Sequence, residues 1–351
     1  MEKSAYNNPQ SSVLSPQSSV LSPNCILKFL TVSLKIIVSG ILALIILSAG
    51  CLFYVNVPRH YNTNKDSVHA SKMEANVFYC QAREGIGWGH TNNDGYINIE
   101  DYVLGSEIEI LLMGSSQMQA LEVIQEDTTA SLLNSKYSMK VYNIGMSGHR
   151  FATCAARLKA AVMKYKPSKF AVIEIGAVET TEKNVNDILH NKASELSPND
   201  KGIRSLLRRI LYLTLLYRQF NLELNTNNSI LEKLASPEAI SEMLAKLNKD
   251  VSLSGAKLII AYHPPVSLNK DGTMKIDDDP EVVRQFSELC SENGIYFLNM
   301  AGRFLEEYKK DYTLPYGFAN TSVGKGHMNV YGHRMFADEI YRLIQRIGAG
   351  S

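Results

Sequence analysis

The stretch EIEILLMGSSQMQA, from Glu107 to Ala120, joins a short apolar run to a glycine, two serines and a helical pattern. An apolar run of this length, almost without interruption, is typical of a strand buried on both faces of a parallel sheet. The run KLIIAY, from Lys257 to Tyr262, has the same character, and a helical pattern follows it before the next strand. Together they predict a doubly wound α/β fold.

Five strands and six helices are predicted beyond the N-terminal quarter. The predicted strands are Glu107–Met113, Met139–Ile144, Phe170–Ile175, Lys257–Tyr262 and Ile295–Asn299. The helical patterns lie near 117–134, 152–166, 237–253, 280–292, 303–310 and 331–346. We expect a flavodoxin-like, five-stranded parallel sheet with its functional residues at the carboxyl ends of the strands.

A long insert, about 180–255, separates the third predicted strand from the fourth. It contains IRSLLRRILYLTLLYRQF, from Ile203 to Phe220, an amphipathic pattern with four arginines. Such a helix either lies against anionic lipid or packs its apolar stripe on the sheet. The sequence leaves both alternatives open.

The N-terminal quarter has a different composition. Residues 1–24 are rich in Ser, Pro, Asn and Gln, repeat the hexapeptide SSVLSP and predict a disordered tail. Residues 36–55, IIVSGILALIILSAGCLFYV, carry no charge and match the thickness of a bilayer core. We therefore expect a transmembrane anchor within 25–57, then a juxtamembrane lead-in at 58–104 and the α/β domain at 105–351.

The flanks of the apolar segment bear on its orientation and processing. Lys28 and Lys35 precede it and favour a cytoplasmic N-terminus, with Arg59 and Lys65 weakening the bias. The segment is long for a cleaved signal peptide, and Ser48 stands where a lipoprotein site has a large aliphatic residue before Cys51. We expect a single-pass protein that contacts membrane lipid through residues 36–55. Its C-terminal domain is expected to lie outside the cytoplasm.

Charge and cysteine content exclude several classes of protein. The chain has 36 basic and 35 acidic residues, which argues against a nucleic-acid partner. Three cysteines beyond the apolar segment, Cys80, Cys154 and Cys290, lack the spacing of a zinc site. We expect no metal or other cofactor, and either buried thiols or one disulfide among these three.

Three loops carry groups suited to acyl transfer. Two follow predicted strands, and the third leads into the last predicted helix. Ser116, or its neighbour Ser115, follows the first strand, where a serine is either a nucleophile or a helix N-cap. NIGMSGHR, from Asn143 to Arg150, follows the second, and Gly148 there is either an amide donor or a turn glycine. GHMNVYGHR, from Gly326 to Arg334, offers His327 as a general base.

These blocks, in this order, resemble the SGNH (GDSL-like) hydrolase superfamily over roughly 105–346. The resemblance implies Ser116 as nucleophile, His327 as base, and the amides of Ser116 and Gly148 as oxyanion hole. It implies a packing role for His333. The remaining candidate pocket residues are Ser115, Asn143, His149, Glu179, His263 and Asn329.

Two positions depart from the family pattern. The usual oxyanion-hole Asn is Val178, for which Asn143 and His149 are candidate substitutes, and the usual Asp three residues before the histidine is Gly324. The histidine's partner is then a carboxylate from elsewhere, with Glu179 a candidate, or a backbone carbonyl.

The resemblance implies a membrane-anchored serine esterase or O-acyltransferase acting through a Ser116–His327 dyad on an ester-bearing surface glycan. The alternative is a catalytically silent domain of the same fold that binds glycan or scaffolds an envelope assembly. The sequence names no protein partner.

Overall fold

The computed structural model describes residues 23–58, 60–61, 72–191 and 233–350. The predicted tail and its repeat, and the basic amphipathic pattern in the insert, lie outside the described residues. The chain divides into two compact units with the boundary between Ala49 and Gly50.

The described part of the N-terminal unit is most of one long helix, α1 (Pro23–Tyr54). Within it, Ile26–Leu47 is long and apolar enough to cross a membrane, with 22 residues and a mean hydropathy of 2.5. This segment overlaps the predicted span at 36–55 but begins ten residues earlier. It therefore includes Lys28 and Lys35, which the predicted span left out.

The larger unit is built on a five-stranded parallel sheet, which confirms the predicted fold class. Its strand order is β12-β9-β8-β6-β7, the flavodoxin-like order in which the chain starts near the middle and winds to both edges. All four pairings are parallel. The strands are β6 (Ile110–Met113), β7 (Val141–Asn143), β8 (Phe170–Ile175), β9 (Lys257–Tyr262) and β12 (Tyr296–Asn299).

Helices cover both faces of this sheet, so the strands read as apolar runs. One core packs around the helices Phe151–Tyr165 and Pro237–Ser252, and the other lies beneath the last helix, Val330–Ala349. The helices of this unit are α2 (Ser116–Gln119), α3 (Thr129–Tyr137), α4 (Phe151–Tyr165), α5 (Glu182–Leu189), α6 (Pro237–Ser252), α7 (Pro280–Glu292), α8 (Ala301–Asp311) and α9 (Val330–Ala349).

The single helix predicted near 117–134 is wrong in one respect, because the structure divides it. Ala120 adopts left-handed backbone with φ 56°, and its N–H donates to the carbonyl of Ser116, which ends α2 after one turn. A 3₁₀ turn at Gln125–Asp127 follows, and α3 begins only at Thr129, capped by Thr128.

Small antiparallel strands surround the main sheet. The segment before β6 contributes a three-stranded sheet in the order β1-β4-β5, which follows α1 directly in the chain. Its inner side carries the fully buried Tyr79. The minor strands are β1 (Val55–Asn56), β2 (His60–Tyr61), β3 (Lys72–Met73), β4 (Phe78–Gln81), β5 (Gly87–His90), β10 (Val266–Leu268) and β11 (Met274–Ile276).

The thiols of Cys154 and Cys290 are buried and unbridged. Burial raises the pKa of each to about 12, so both remain protonated and inert at neutral pH.

Candidate active site

Ser116 stands at the carboxyl end of β6, in the turn that leads into α2. Ser115 is the N-cap of that helix, and its Oγ accepts a hydrogen bond from the Gln117 N–H at 3.2 Å. Because Ser115 has the capping role, the hydroxyl of Ser116 is left to face His327. The distance from Ser116 Oγ to His327 Nε2 is 3.0 Å, within reach for proton transfer.

The other nitrogen of His327 faces a carboxylate from the loop between β4 and β5. Glu84 Oε2 lies 2.7 Å from His327 Nδ1, and Glu84 Oε1 accepts from the His327 backbone N–H at 2.7 Å. A side chain at Gly326 would collide with Glu84, since a Cβ there would lie 2.1 Å from Oε1. Serine, imidazole and carboxylate therefore form a continuous chain of the kind that activates a serine nucleophile.

Asn320 fixes the loop that carries Glu84. Its Oδ1 accepts from the Gly85 N–H at 2.9 Å, while its Nδ2 donates to the carbonyls of Ala82 at 3.0 Å and Gly85 at 2.9 Å. Three hydrogen bonds from one side chain hold the acid against the histidine loop.

A second carboxyl group, Glu122, lies next to the same imidazole. Its Oε1 is 3.7 Å from His327 Nδ1, and its side chain is 8% exposed, against 24% for Glu84. Burial raises the pKa of Glu122 to about 7; the nearby His327 opposes this shift, and Glu84 adds to it. Glu84 is therefore the direct partner of His327, and Glu122 is a buried neighbour whose charge changes near neutral pH.

Gln117 links the serine turn to the histidine loop. Its Oε1 accepts from the Met328 N–H at 2.6 Å, and its Nε2 donates to the Gly326 carbonyl at 3.4 Å. One amide therefore contacts the backbone on both sides of His327, and this holds the imidazole in register with the neighbouring Ser116.

A buried network supports the serine turn from below. Glu174, at 2% exposure, accepts from the Ser115 N–H at 2.6 Å and pairs with His263 Nε2. His263 Nδ1 lies 2.8 Å from Tyr316 Oη, which donates to the Pro264 carbonyl at 2.9 Å. A Cβ at Gly114 would lie 2.4 Å from Glu174 Oε2, so the close approach of this carboxylate requires glycine.

The loop after β7 is tied to the serine turn by backbone contacts. The Met146 N–H donates to the Gly114 carbonyl at 3.0 Å, and the Ser147 N–H donates to Gln119 Oε1 at 3.1 Å. Gly148, the next residue, is exposed, and its N–H has no acceptor among the described residues, nor has the N–H of Ser116. The two amides predicted as an oxyanion hole thus lie on adjoining turns.

The two departures from the family pattern have different outcomes. Val178 is buried in the core and offers no donor at the position of the usual Asn. Gly324 offers no acid, and Glu84 meets the histidine in its place. Glu179 is exposed, and the structure records no contact between it and His327 within the described ranges.

The other candidate pocket residues serve the framework. Asn143 Nδ2 donates to the Met118 carbonyl at 2.7 Å, and its Oδ1 accepts from the Gly145 N–H. His149 is buried, with Nε2 2.8 Å from Arg157 Nη1. Asn329 caps α9, accepting from the N–H groups at 331 and 332. These contacts commit the amide and ring groups of Asn143 and His149 to neighbours other than Ser116.

His333 lies inside α9, buried, with Nδ1 2.9 Å from Thr129 Oγ1. Burial lowers its pKa to about 3, so the ring is neutral and packs between α9 and α3. In the part of the chain that the structure describes, no cluster of three or more His, Cys, Asp or Glu side chains is arranged to hold a metal ion.

Sequence reasoning missed Glu84, Glu122 and Gln117. Glu84 stands in QAREGIGWGH, outside every block of the resemblance, and only its place directly before the glycine-rich run GIGWGH could have drawn attention to it. Gln117 directly follows Ser116, so its position in the turn was a usable signal. Glu122 lacked any signal, because its importance comes from burial beside the histidine.

Comparison with known proteins finds no matching family model and no matching curated protein. Several solved structures are similar. TesA has a TM-score of 0.37 and 16% identity, covering 66% of this chain and 96% of its own. An acetyl xylan esterase, AlAXEase, has a TM-score of 0.39 and 15% identity, covering 67% and 99%.

A third similar structure is a protein assigned to the SGNH hydrolases from Slackia heliotrinireducens, with a TM-score of 0.36 and 14% identity, covering 67% of this chain and 97% of its own. TM-scores of this size are too low to carry an argument about chemistry, which rests on the residues above. The solved structures that this chain resembles include SGNH and GDSL-like hydrolases.

Proposed function

We propose that this chain is a serine-dependent esterase or O-acyltransferase, with Ser116 as nucleophile, His327 as base and Glu84 as the acid that orients His327. The observation that carries the proposal is the continuous contact from Ser116 Oγ to His327 Nε2 at 3.0 Å and from His327 Nδ1 to Glu84 Oε2 at 2.7 Å.

In the first half of the reaction Ser116 Oγ attacks the carbonyl carbon of an ester, and its proton passes to His327 Nε2. The developing imidazolium is stabilised by Glu84 through Nδ1–H. The oxyanion accepts hydrogen bonds from the amides of Ser116 and Gly148. Collapse of the tetrahedral intermediate expels the alcohol, which takes the proton from His327 and leaves an acyl ester on Ser116.

In the second half a water molecule or an acceptor hydroxyl attacks the acyl-serine while His327 takes its proton. The second tetrahedral intermediate then collapses, the bond from the acyl carbon to Ser116 Oγ breaks, and Ser116 Oγ takes the proton back from His327. Water gives hydrolysis and a sugar hydroxyl gives transfer. The side chain of Val178 cannot donate a hydrogen bond. The oxyanion therefore has two backbone amide donors, whereas the family pattern adds a third donor from an Asn side chain. Losing one such donor typically costs about 10²–10³-fold in turnover, so a slow enzyme is expected.

The proposed substrate is an ester on a carbohydrate outside the cytoplasm, with the chain anchored by α1 and its larger unit outside. The apolar segment Ile26–Leu47 supports the anchor, and Lys28 and Lys35, both in the N-terminal half of that segment, support a cytoplasmic N-terminus. The resemblance to the SGNH hydrolase superfamily supports a carbohydrate ester as the substrate class.

The test is an ester-hydrolysis assay of the detergent-purified full chain on p-nitrophenyl acetate and on acetylated glycans. Ser116→Ala and His327→Ala should each lose at least about 10³-fold in kcat. Ser135→Ala, at an exposed serine on α3, should keep its activity. Variants equal to the wild type on every substrate would contradict the proposal.

The buried Val178 favours a second candidate, a silent glycan-binding domain of the same fold. Such a protein would hydrolyse none of these esters and would bind acetylated glycan equally well with Ser116→Ala.

A further inference from the structure

The sheet β1-β4-β5 turns one face to the domain and the other to solvent. In β4 and β5 the exposed and covered positions alternate, and the pairings Phe78↔His90 and Cys80↔Trp88 place these four residues on the outer face. Phe78 and His90 meet edge to face at 5.4 Å, as cross-strand neighbours on one side do. The inner face is anchored by Tyr79, which is fully buried.

This outer face is apolar and aromatic. Trp88 is 47% exposed and Phe78 46% exposed, and Ile86, just before β5, is 63% exposed. The pairing Asn56↔Cys80 adds Asn56 as the contribution of β1. No Asp, Glu, Lys or Arg stands at these strand positions, so an aromatic surface with uncharged polar neighbours is open to contact.

The short length of chain between the candidate membrane span and β1 bears on what covers the outer face of the β1-β4-β5 sheet. The membrane-spanning candidate ends at Leu47, and β1 begins at Val55, eight residues later. Eight residues reach at most about 28 Å even when fully extended. An anchor at Ile26–Leu47 would keep β1 within this length of chain from the bilayer surface. Tryptophan rings are enriched in the headgroup zone of membrane proteins.

We infer that the outer face of β1-β4-β5, with Phe78, Ile86 and Trp88 as its apolar contacts, docks on the phospholipid bilayer that α1 spans. This inference rests on the proposed membrane anchor and does not depend on catalysis. Glu84 lies in the loop between β4 and β5, two residues from Ile86. Docking therefore holds the acid of the triad beside the bilayer surface and selects esters presented there.

Trp88 is the single tryptophan of the chain, so its fluorescence reports this face alone. The full-length protein is reconstituted into phosphatidylcholine vesicles, with and without bromine near the headgroup end of the acyl chains. Vesicle flotation records anchoring in the same sample. Docking predicts blue-shifted emission that brominated lipid quenches and aqueous iodide does not.

The matched control moves the reporter to Leu253, which directly follows α6 and is 56% exposed. In Trp88→Phe/Leu253→Trp, iodide should quench the emission and brominated lipid should not. If the wild type floats with vesicles but Trp88 behaves like the control, the docking inference is overturned while the anchor and the esterase proposal stand. If the protein does not float, the anchor fails and the inference fails with it.

Discussion

The carboxylate of Glu84 contacts His327 at two points. Its Oε1 accepts from the backbone N–H at 2.7 Å, and its Oε2 lies 2.7 Å from Nδ1 of the ring. One carboxylate thereby fixes both the loop position and the ring orientation of the histidine. The acid comes from 243 residues earlier in the chain than the base.

Replacing Glu84 should impair turnover far more than binding. Glu84→Gln keeps the shape but cannot stabilise the imidazolium, and we expect kcat to fall by about 10²–10⁴-fold. Steady-state kinetics on p-nitrophenyl acetate measures this, with Glu179→Gln, an exposed carboxyl near β8, as the control that should remain active. Equal rates for Glu84→Gln and wild type would remove Glu84 from the triad.

Gln117 should matter for rate through the position of His327. Gln117→Ala removes the hydrogen bonds to Gly326 and Met328, and we expect kcat to fall by about tenfold or more, since misplacing a catalytic group by about 1 Å can cost 10²-fold. The melting temperature should change little. Gln285→Ala on α7 is the control, because that amide donates to Glu281 on its own exposed helix face. An unchanged kcat with Gln117→Ala would show that the hydrogen bonds from Gln117 to Gly326 and Met328 do not position His327 for catalysis.

Glu122 should make stability depend on pH. Its pKa is about 7 in the folded protein against 4.5 ordinarily, so the folded state binds the proton more tightly than the unfolded state does. Its favourable contribution is full below pH 4.5 and is lost as the pH rises past 7. Between these two pH ranges, the contribution of Glu122 to the free energy of unfolding changes by about 3 kcal/mol.

Glu122→Gln removes this titration. Denaturant unfolding of both proteins from pH 4.5 to 8 should show the variant gaining stability relative to wild type as the pH rises. Parallel curves over that range would show that Glu122 is not the titrating group.

The sequence predicted the sheet well because its strands are buried on both faces, and burial of that kind leaves continuous apolar runs such as KLIIAY. It located Ser116 through a short block at the end of a strand, and His327 through a short block just before the last helix. It failed at the division of 117–134, because a left-handed Ala120 leaves no mark in an apolar pattern.

The acid could not be predicted for a different reason. Glu84 reaches the site through a hairpin that precedes the main sheet. Its contact with His327 depends on tertiary structure, since Asn320 holds the neighbouring backbone at Ala82 and Gly85. A lone glutamate in a polar loop has the same sequence signature as any solvated residue. Only the folded arrangement distinguishes it from Glu179.

Glu174 should be needed for a stable serine turn. Glu174→Leu leaves the Ser115 N–H and His263 without their buried partner, and we expect a loss of about 3–5 kcal/mol in the free energy of unfolding. Urea unfolding measures it, and Glu182→Leu, an exposed acid on α5, should lose far less. A loss below 1 kcal/mol for Glu174→Leu would show that the network contributes little.

The most direct test of the account is covalent labelling of the full chain with a fluorophosphonate serine probe, followed by peptide mapping. The account predicts one modified residue, Ser116, with labelling abolished in Ser116→Ala and strongly slowed in His327→Ala and Glu84→Gln. Labelling that fails in the folded wild type, or that maps to another serine and persists in Ser116→Ala, would contradict it.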